Sequence, residues 1–246
     1  MGAVELLLTR HGESMGNVAA SAAEAAQAEV IDVASRDADV ELSATGLDQA
    51  RALGDMLSHL HKDQLPHSVW SSPYRRAFDT ATLALRAAAV DLPVRVDERL
   101  RDRELGVLDR LTTRGVEARF PDEAARRRWL GKFYHRPPGG ESWVDLALRL
   151  RSVLGDLDRI EDGRRVLVVC HDAMVLMTRY VCEGLTEAEV LEIARTDPVR
   201  NVSVTRLLRP SGQGLWTVDV YNDVSHLEAS GVAVTKHPGD PHVLPQ

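Results

Sequence analysis

Hydrophobic positions along the chain switch repeatedly between two spacings. Val4 to Thr9 is a short apolar run of strand length, followed by a turn containing Gly12 and an Ala-rich stretch from Val18 to Ala34 with good helix propensity. Leu47, Ala50, Leu53, Leu57 and Leu60 recur at helical spacing, and Ser43 or Thr45 can cap that helix. Residues 67 to 72 (HSVWSS) read as a second strand, after which Pro73 suits the first turn of a helix carrying Ala77, Thr80, Ala81, Ala84 and Leu85 on one face. The loop PPGGE then leads to an N-cap at Ser142 and a long helix marked by Trp143, Leu146, Leu150, Val153, Leu157 and Ile160. RRVLVVC (164 to 170) is a buried strand, followed by a turn at HDA and an apolar helix to Cys182. An acidic helix from Thr186 to Arg195 and two strands, NVSVTRLL and LWTVDVY, complete the pattern. No internal repeat interrupts it. Alternating strands and helices predict a three-layer α/β/α sandwich with a mainly parallel central sheet. We expect one domain over residues 1–227, with 228–246, rich in Gly, Pro and His, as an extended tail.

Composition narrows the class of partner. A chain of 246 residues with 44% hydrophobic positions can bury a sizeable core. Its net charge of -7 and pI near 5.7 disfavour nucleic acid or an anionic membrane held by general electrostatics, so any anion must be met locally. Cys170 and Cys182 sit in apolar surroundings that read as core, which fits a reducing cytoplasm. No targeting pattern or spanning apolar run is visible, and a cytoplasmic protein is expected, with a homodimer left open. His59 and His61, two residues apart, cannot share one helical face and read as solvated rather than as a metal pair.

Three strand-to-helix turns carry unusual side chains: Arg10 and His11 at the first, Arg75 in SSPYRRA at the second, His171 in VVCHDA at the third. In open parallel sheets ligands gather outside the carboxyl ends of the strands, where helix N-termini favour anions. Guanidinium groups fork onto phosphoryl oxygens and stay charged, so two arginines and two histidines at one edge describe a phosphate site.

RHGES with Asn17, then SSPYRRAFDTA, then a histidine closing an apolar strand resembles the histidine phosphatase superfamily, which includes the cofactor-dependent phosphoglycerate mutases. The ordered motifs span residues 4 to 207. The resemblance implies a phosphoglycerate mutase-like fold and a nucleophilic His11 that becomes a phosphohistidine. It also implies that Arg10, Arg75 and His171 hold the transferring oxygens, with Ser14 and Asn17 approaching the phosphate. Chemistry agrees with these roles, because a neutral imidazole is a usable nucleophile and cationic donors stabilise charge on the equatorial oxygens. Gly12 is expected to let the backbone approach the ligand.

The general acid is less well marked. The family pattern resembling L-x-E-x-x-x-G falls on LRDRELG, placing Asp102 where a Glu is usual; Asp172, beside His171, and Glu104 are competitors. Asp172 could equally cap the following helix. A carboxyl beside a phosphate dianion should have a raised pKa. The run containing Arg126, Arg127, Arg128, Lys132 and Arg136 could read a second anionic group or form a solvated helix face. Glu141 could face the pocket or support its loop, and His237 and His242 could drape across the site. The leading expectation is a metal-independent phosphatase acting on a small phosphomonoester, without a cofactor. A cofactor-dependent phosphoglycerate mutase-type phosphotransferase is the alternative, and a non-catalytic phosphate-binding module the third reading.

Overall fold

The computed structural model describes residues 2–237. Strand β1 (Glu5–Arg10) leads through the RHGE turn into helix α1 (Met15–Ala25), and α2 (Ala44–Ser58) starts at the cap supplied by Ser43. Then come β2 (Ser68–Ser71), α3 (Arg75–Ala87), β3 (Val94–Val96), α4 (Thr113–Arg119), α5 (Pro121–Tyr134) and α6 (Trp143–Ile160). Strand β4 (Arg165–Cys170), α7 (Asp172–Glu183), α8 (Glu187–Thr196), β5 (Val204–Leu208), β6 (Thr217–Asp223) and α9 (Ser225–Ala229) follow. The single six-stranded sheet has the order β3-β2-β4-β1-β5-β6. Strands β3, β2, β4 and β1 run parallel, while β5 and β6 are antiparallel additions on the other side of β1.

Because side chains alternate along a strand, each central strand feeds two cores. Leu6 and Leu8 of β1, with Val166 and Val168 of β4, pack on one face with Leu146, Leu150 and Val153 of α6 and Met174 and Met177 of α7. Leu7, Leu167 and Val169 face the other way, onto Leu53 and Leu57 of α2 and Ala77, Ala81 and Ala84 of α3. This is the expected three-layer α/β/α sandwich. Both cysteines are free and buried. Among the described residues no helix is long and apolar enough to cross a membrane.

Three local expectations change. The Ala-rich helix stops at Ala25 rather than Ala34, with Gln27 at a φ of 52°, because residues 29 to 31 are drawn away to pair with 110 to 112. Tertiary hydrogen bonds there override helix propensity. Pro73 lies before the N-cap Tyr74 and not inside the first turn of α3. Finally, Glu228 lies within α9 instead of opening the tail; after that helix the chain lies on the body as far as His237, where Gln49 Nε2 donates to Ala233 O and Thr235 Oγ1. His242 lies outside the described residues.

Candidate active site

Parallel register puts the ends of three strands side by side. Arg10 pairs with Cys170, Ser71 with Val169, and the amides of His11 and Ser72 continue the ladder onto the carbonyls of Cys170 and Val169. His11, Ser72 and His171 therefore leave the sheet as neighbours, and the two imidazole rings meet edge to face with centroids 5.2 Å apart.

His11 is buried and its Nδ1 lies 2.7 Å from its acceptor, the Gly12 carbonyl. That bond keeps the ring proton on Nδ1 and leaves a lone pair on Nε2, which accepts from Arg76 Nε at 3.3 Å. Burial, reinforced by the charges of Arg76, His171 and Arg10, pushes the His11 pKa well below its ordinary value. The imidazole is thus neutral at pH 7 and presents Nε2 to the pocket. Its main chain is held just as firmly. Asn201 Nδ2 donates to His11 O at 2.9 Å, Gly12 N to Thr80 Oγ1 at 3.0 Å, and Glu13 N to Gln49 Oε1 at 2.9 Å. Thr80, Gln49 and Asn201 are fully buried polar residues to which no site role was given; Thr80 lies within SSPYRRAFDTA, the two amides outside every motif. A buried amide outside a motif becomes visible only when its partner is known.

The arginine of the second turn is Arg76, which corrects the expectation for Arg75. Helix α3 packs Arg76, Ala77, Thr80, Ala81 and Ala84 inward, and Arg76 stands one turn before Thr80 on that face. Arg75 lies about 100° round the helix. Its side chain is 52% exposed and pairs with Glu41 and Asp79. Arg76 is buried and meets His11, Asp37 and Asp102. Arg10 is buried too, donating through Nη1 to Val199 O at 2.6 Å and through Nη2 to His237 O at 3.4 Å, while among the described residues Nε has no partner.

On the far wall His171 is fully buried, with Nε2 2.8 Å from Ser72 Oγ and Nδ1 3.2 Å from Asp102 Oδ2. No hydrogen bond is aligned on that Nδ1. Burial pushes the His171 pKa down, and Asp102 opposes it. Asp102 Oδ1 accepts from Arg103 N, and Oδ2 accepts from Arg76 Nη2 at 3.1 Å. Burial raises the Asp102 pKa, but His171 and Arg76 outweigh it and hold the carboxyl well below the usual range. The loop carrying Asp102 is clamped from α6 by Arg149, which donates to the carbonyls of Arg99, Arg101 and Asp102. Glu141 takes Arg149 and Arg101 on its carboxylate and accepts from Glu104 N, so it supports this loop.

The competing carboxylates lie elsewhere. Glu104 is engaged by Tyr74, accepting from its Oη at 2.9 Å. Asp172 opens α7 and accepts from Ala173 N at 2.7 Å. Ser14 and Asn17 form a capping box that starts α1: Ser14 Oγ accepts from Asn17 N, and Asn17 Oδ1 accepts from Ser14 N. The box leaves Asn17 Nδ2 outside it. Gly12 is required by the protein's own backbone, since a Cβ there would stand 2.7 Å from Gly46 O, and one on Gly46 would stand 2.0 Å from Glu13 O. The loop and the start of α2 touch backbone to backbone.

The basic run divides. Arg126 is exposed, Arg128 faces Glu117, Arg136 pairs with Asp145, and Lys132 lies over the Trp143 ring. Arg127 comes near Arg103, whose pKa burial and Arg127 together push down to about 10. His59 and His61 are exposed, and among the described residues no group of three or more His, Cys, Asp or Glu is placed to hold a metal ion.

Arg10, Arg76, His11 and His171 are therefore gathered at one buried site, with the carboxylates of Asp102 and Asp37 on Arg76. Similarity to known proteins is consistent across the chain. A curated relative from Arabidopsis thaliana, phosphoglycerate mutase-like protein 4, is 29% identical over 96% of this chain and 92% of its own. A metal-independent phosphoserine phosphatase from the same plant is 28% identical over 96% and 88%. Among solved structures, mycobacterial glucosyl-3-phosphoglycerate phosphatase in complex with VO3 superposes with a TM-score of 0.71 at 31% identity, covering 90% of this chain and all of that one. Residues 6–224 match the family model itself, and the chain belongs to the histidine phosphatase superfamily, branch 1.

Proposed function

We propose that this chain is a metal-independent phosphatase that hydrolyses a small phosphomonoester through a phosphohistidine on His11. One observation carries the reading. A neutral imidazole holds its unprotonated Nε2 against Arg76, and among the described residues the buried Arg10 Nε has no hydrogen-bond partner, while His171 Nδ1 meets only the Asp102 carboxylate. A buried donor left open near a nucleophile suits a ligand rich in acceptor oxygens.

In the first step Nε2 attacks phosphorus, the P–O ester bond breaks, and the leaving oxygen takes a proton from Asp102. In the second, water attacks the phosphohistidine, Asp102 takes the water's proton, and the N–P bond breaks to release inorganic phosphate and restore neutral His11. Asp102 is ionised in the free site because His171 and Arg76 stabilise its charge against burial. A bound phosphate competes for both and adds a like charge, so the Asp102 pKa rises as substrate binds. The acid is made by the substrate. That coupling also accommodates Asp in place of the usual Glu, because the carboxyl is already in contact with the two groups that would hold the phosphoryl oxygens.

Hydrolysis of p-nitrophenyl phosphate in EDTA, abolished in His11→Ala and accompanied by an acid-labile phosphoryl group on His11, tests the reading. Phosphate binding without turnover of any ester would point to the non-catalytic module. Isomerisation of 3-phosphoglycerate dependent on 2,3-bisphosphoglycerate would point to the mutase.

A further inference from the structure

We propose that Asp37 occupies the phosphate side of Arg76 in the free protein, and that its carboxylate must leave before a phosphoryl group can bind. The proposal rests on the reading of this pocket as a phosphate site. A guanidinium has five N–H bonds. In Arg76, Nε donates to His11 Nε2, Nη1 to Asp37 O at 2.7 Å and Asp37 Oδ1 at 2.9 Å, and Nη2 to Asp37 Oδ2 at 3.3 Å and Asp102 Oδ2 at 3.1 Å. Every donor of the buried arginine beside the nucleophile is taken by the protein. A phosphoryl group on His11 Nε2 needs at least one of them, so a partner has to give way.

The two carboxylates on Arg76 are anchored very differently. Asp102 sits on a segment whose carbonyls are gripped by Arg149, and its Oδ1 is tied to Arg103 N. Asp37 opens a three-residue 3-10 turn, Asp37–Asp39, with no buried residue, and its own side chain is 49% exposed. The hydrogen bond closing that turn, Val40 N to Asp37 O, is long at 3.4 Å. The carboxylate fork on a guanidinium is the geometry a phosphate would adopt on the same group, and a dianion beside Asp37 would repel it. Asp37 is therefore an internal stand-in for substrate. Retracting the turn exposes Arg76 while leaving Asp102 in place.

Occupancy by Asp37 lowers the apparent affinity for phosphate by the fraction of molecules in which the turn is closed. Titration calorimetry with inorganic phosphate compares the intact chain with Asp37→Ala. Because the Asp37 side of the pair is half exposed, the expected gain in affinity is modest, about three- to tenfold. Hydrogen exchange supplies a second readout, with amides of residues 36 to 40 in the intact protein exchanging faster when phosphate saturates it. Weaker or unchanged phosphate binding in Asp37→Ala, slowed exchange over 36 to 40, or no phosphate binding by either protein would overturn the proposal. Failure of the catalytic reading is separable: absent hydrolysis leaves the titration legible, whereas unchanged phosphate affinity alongside normal turnover removes only the role of Asp37.

Discussion

Arg76→Ala removes a guanidinium that touches His11 Nε2, the Asp102 carboxylate and Asp37 at once. In comparable oxyanion sites the loss of one such donor costs about 2.7–4 kcal/mol of barrier, which at about 1.36 kcal/mol per tenfold is roughly 10²- to 10³-fold in kcat. The neighbouring Arg75→Ala removes exposed ion pairs to Glu41 and Asp79, worth about 0–1 kcal/mol of stability and nothing directed at the pocket. Its kcat should stay within about twofold of the parent. The assay is steady-state hydrolysis of p-nitrophenyl phosphate, with a thermal melt for each protein to separate chemistry from folding. Arg76→Lys refines the test, since a lysine keeps the charge but cannot fork, and it should recover only part of the loss. A fall in kcat for Arg75→Ala as large as that for Arg76→Ala, in a folded protein, would refute the assignment.

Four further outcomes follow from the geometry. Asp102→Asn should slow alkyl phosphate hydrolysis by about 10²- to 10⁴-fold yet spare p-nitrophenyl phosphate, whose leaving group needs little protonation; equal losses on both would argue against an acid role. His11 and His171 both have folded pKa values below 6.5, so the unfolded chain binds more protons as pH falls from 7. Stability present above pH 6.5 should therefore diminish below it, read as a falling Tm between about pH 7 and 5, and a Tm that rises over that window would contradict the buried neutral state. The activity limb governed by His11 should lie on the acid side of 6.5, seen in a profile of kcat/KM. Gly12→Ala forces a Cβ to within 2.7 Å of Gly46 O and should destabilise the fold by about 1–3 kcal/mol; an unchanged melt would mean that the loop and α2 are not in contact as described.

Most of the fold was legible because its elements are long and strongly periodic. The helix from Trp143 and the strand ending at Cys170 lie where their apolar spacing puts them. The ends of elements were less legible wherever a distant segment competes, as at Ala28 to Ile31, whose partners lie about eighty residues further on. In the site, His11, Arg10, His171 and Asp102 converge as read from the motifs. Arg75 and Arg76 are adjacent in SSPYRRA, and composition treats them alike. The face that carries Ala77, Thr80, Ala81 and Ala84 separates them, because stepping back four positions from Thr80 reaches Arg76. That information was present in the helical phase rather than in the motif. Asp37, Asn201 and Gln49 carry no such local mark, and only the fold brings them to the nucleophile.

The carbonyl of His11 is held by Asn201, 190 positions further along the chain, and the Arg10 carbonyl by the amide of Val202. A chain emerging from the ribosome exposes its nucleophile early but lacks the strand that braces it until residues near 200 to 208 have been made. Contacts so distant in sequence also form late and slowly in refolding. The site around His11 is thus a product of nearly finished synthesis, and a fragment stopping after Cys170 would carry RHG and both arginines without the wall that gives them their geometry.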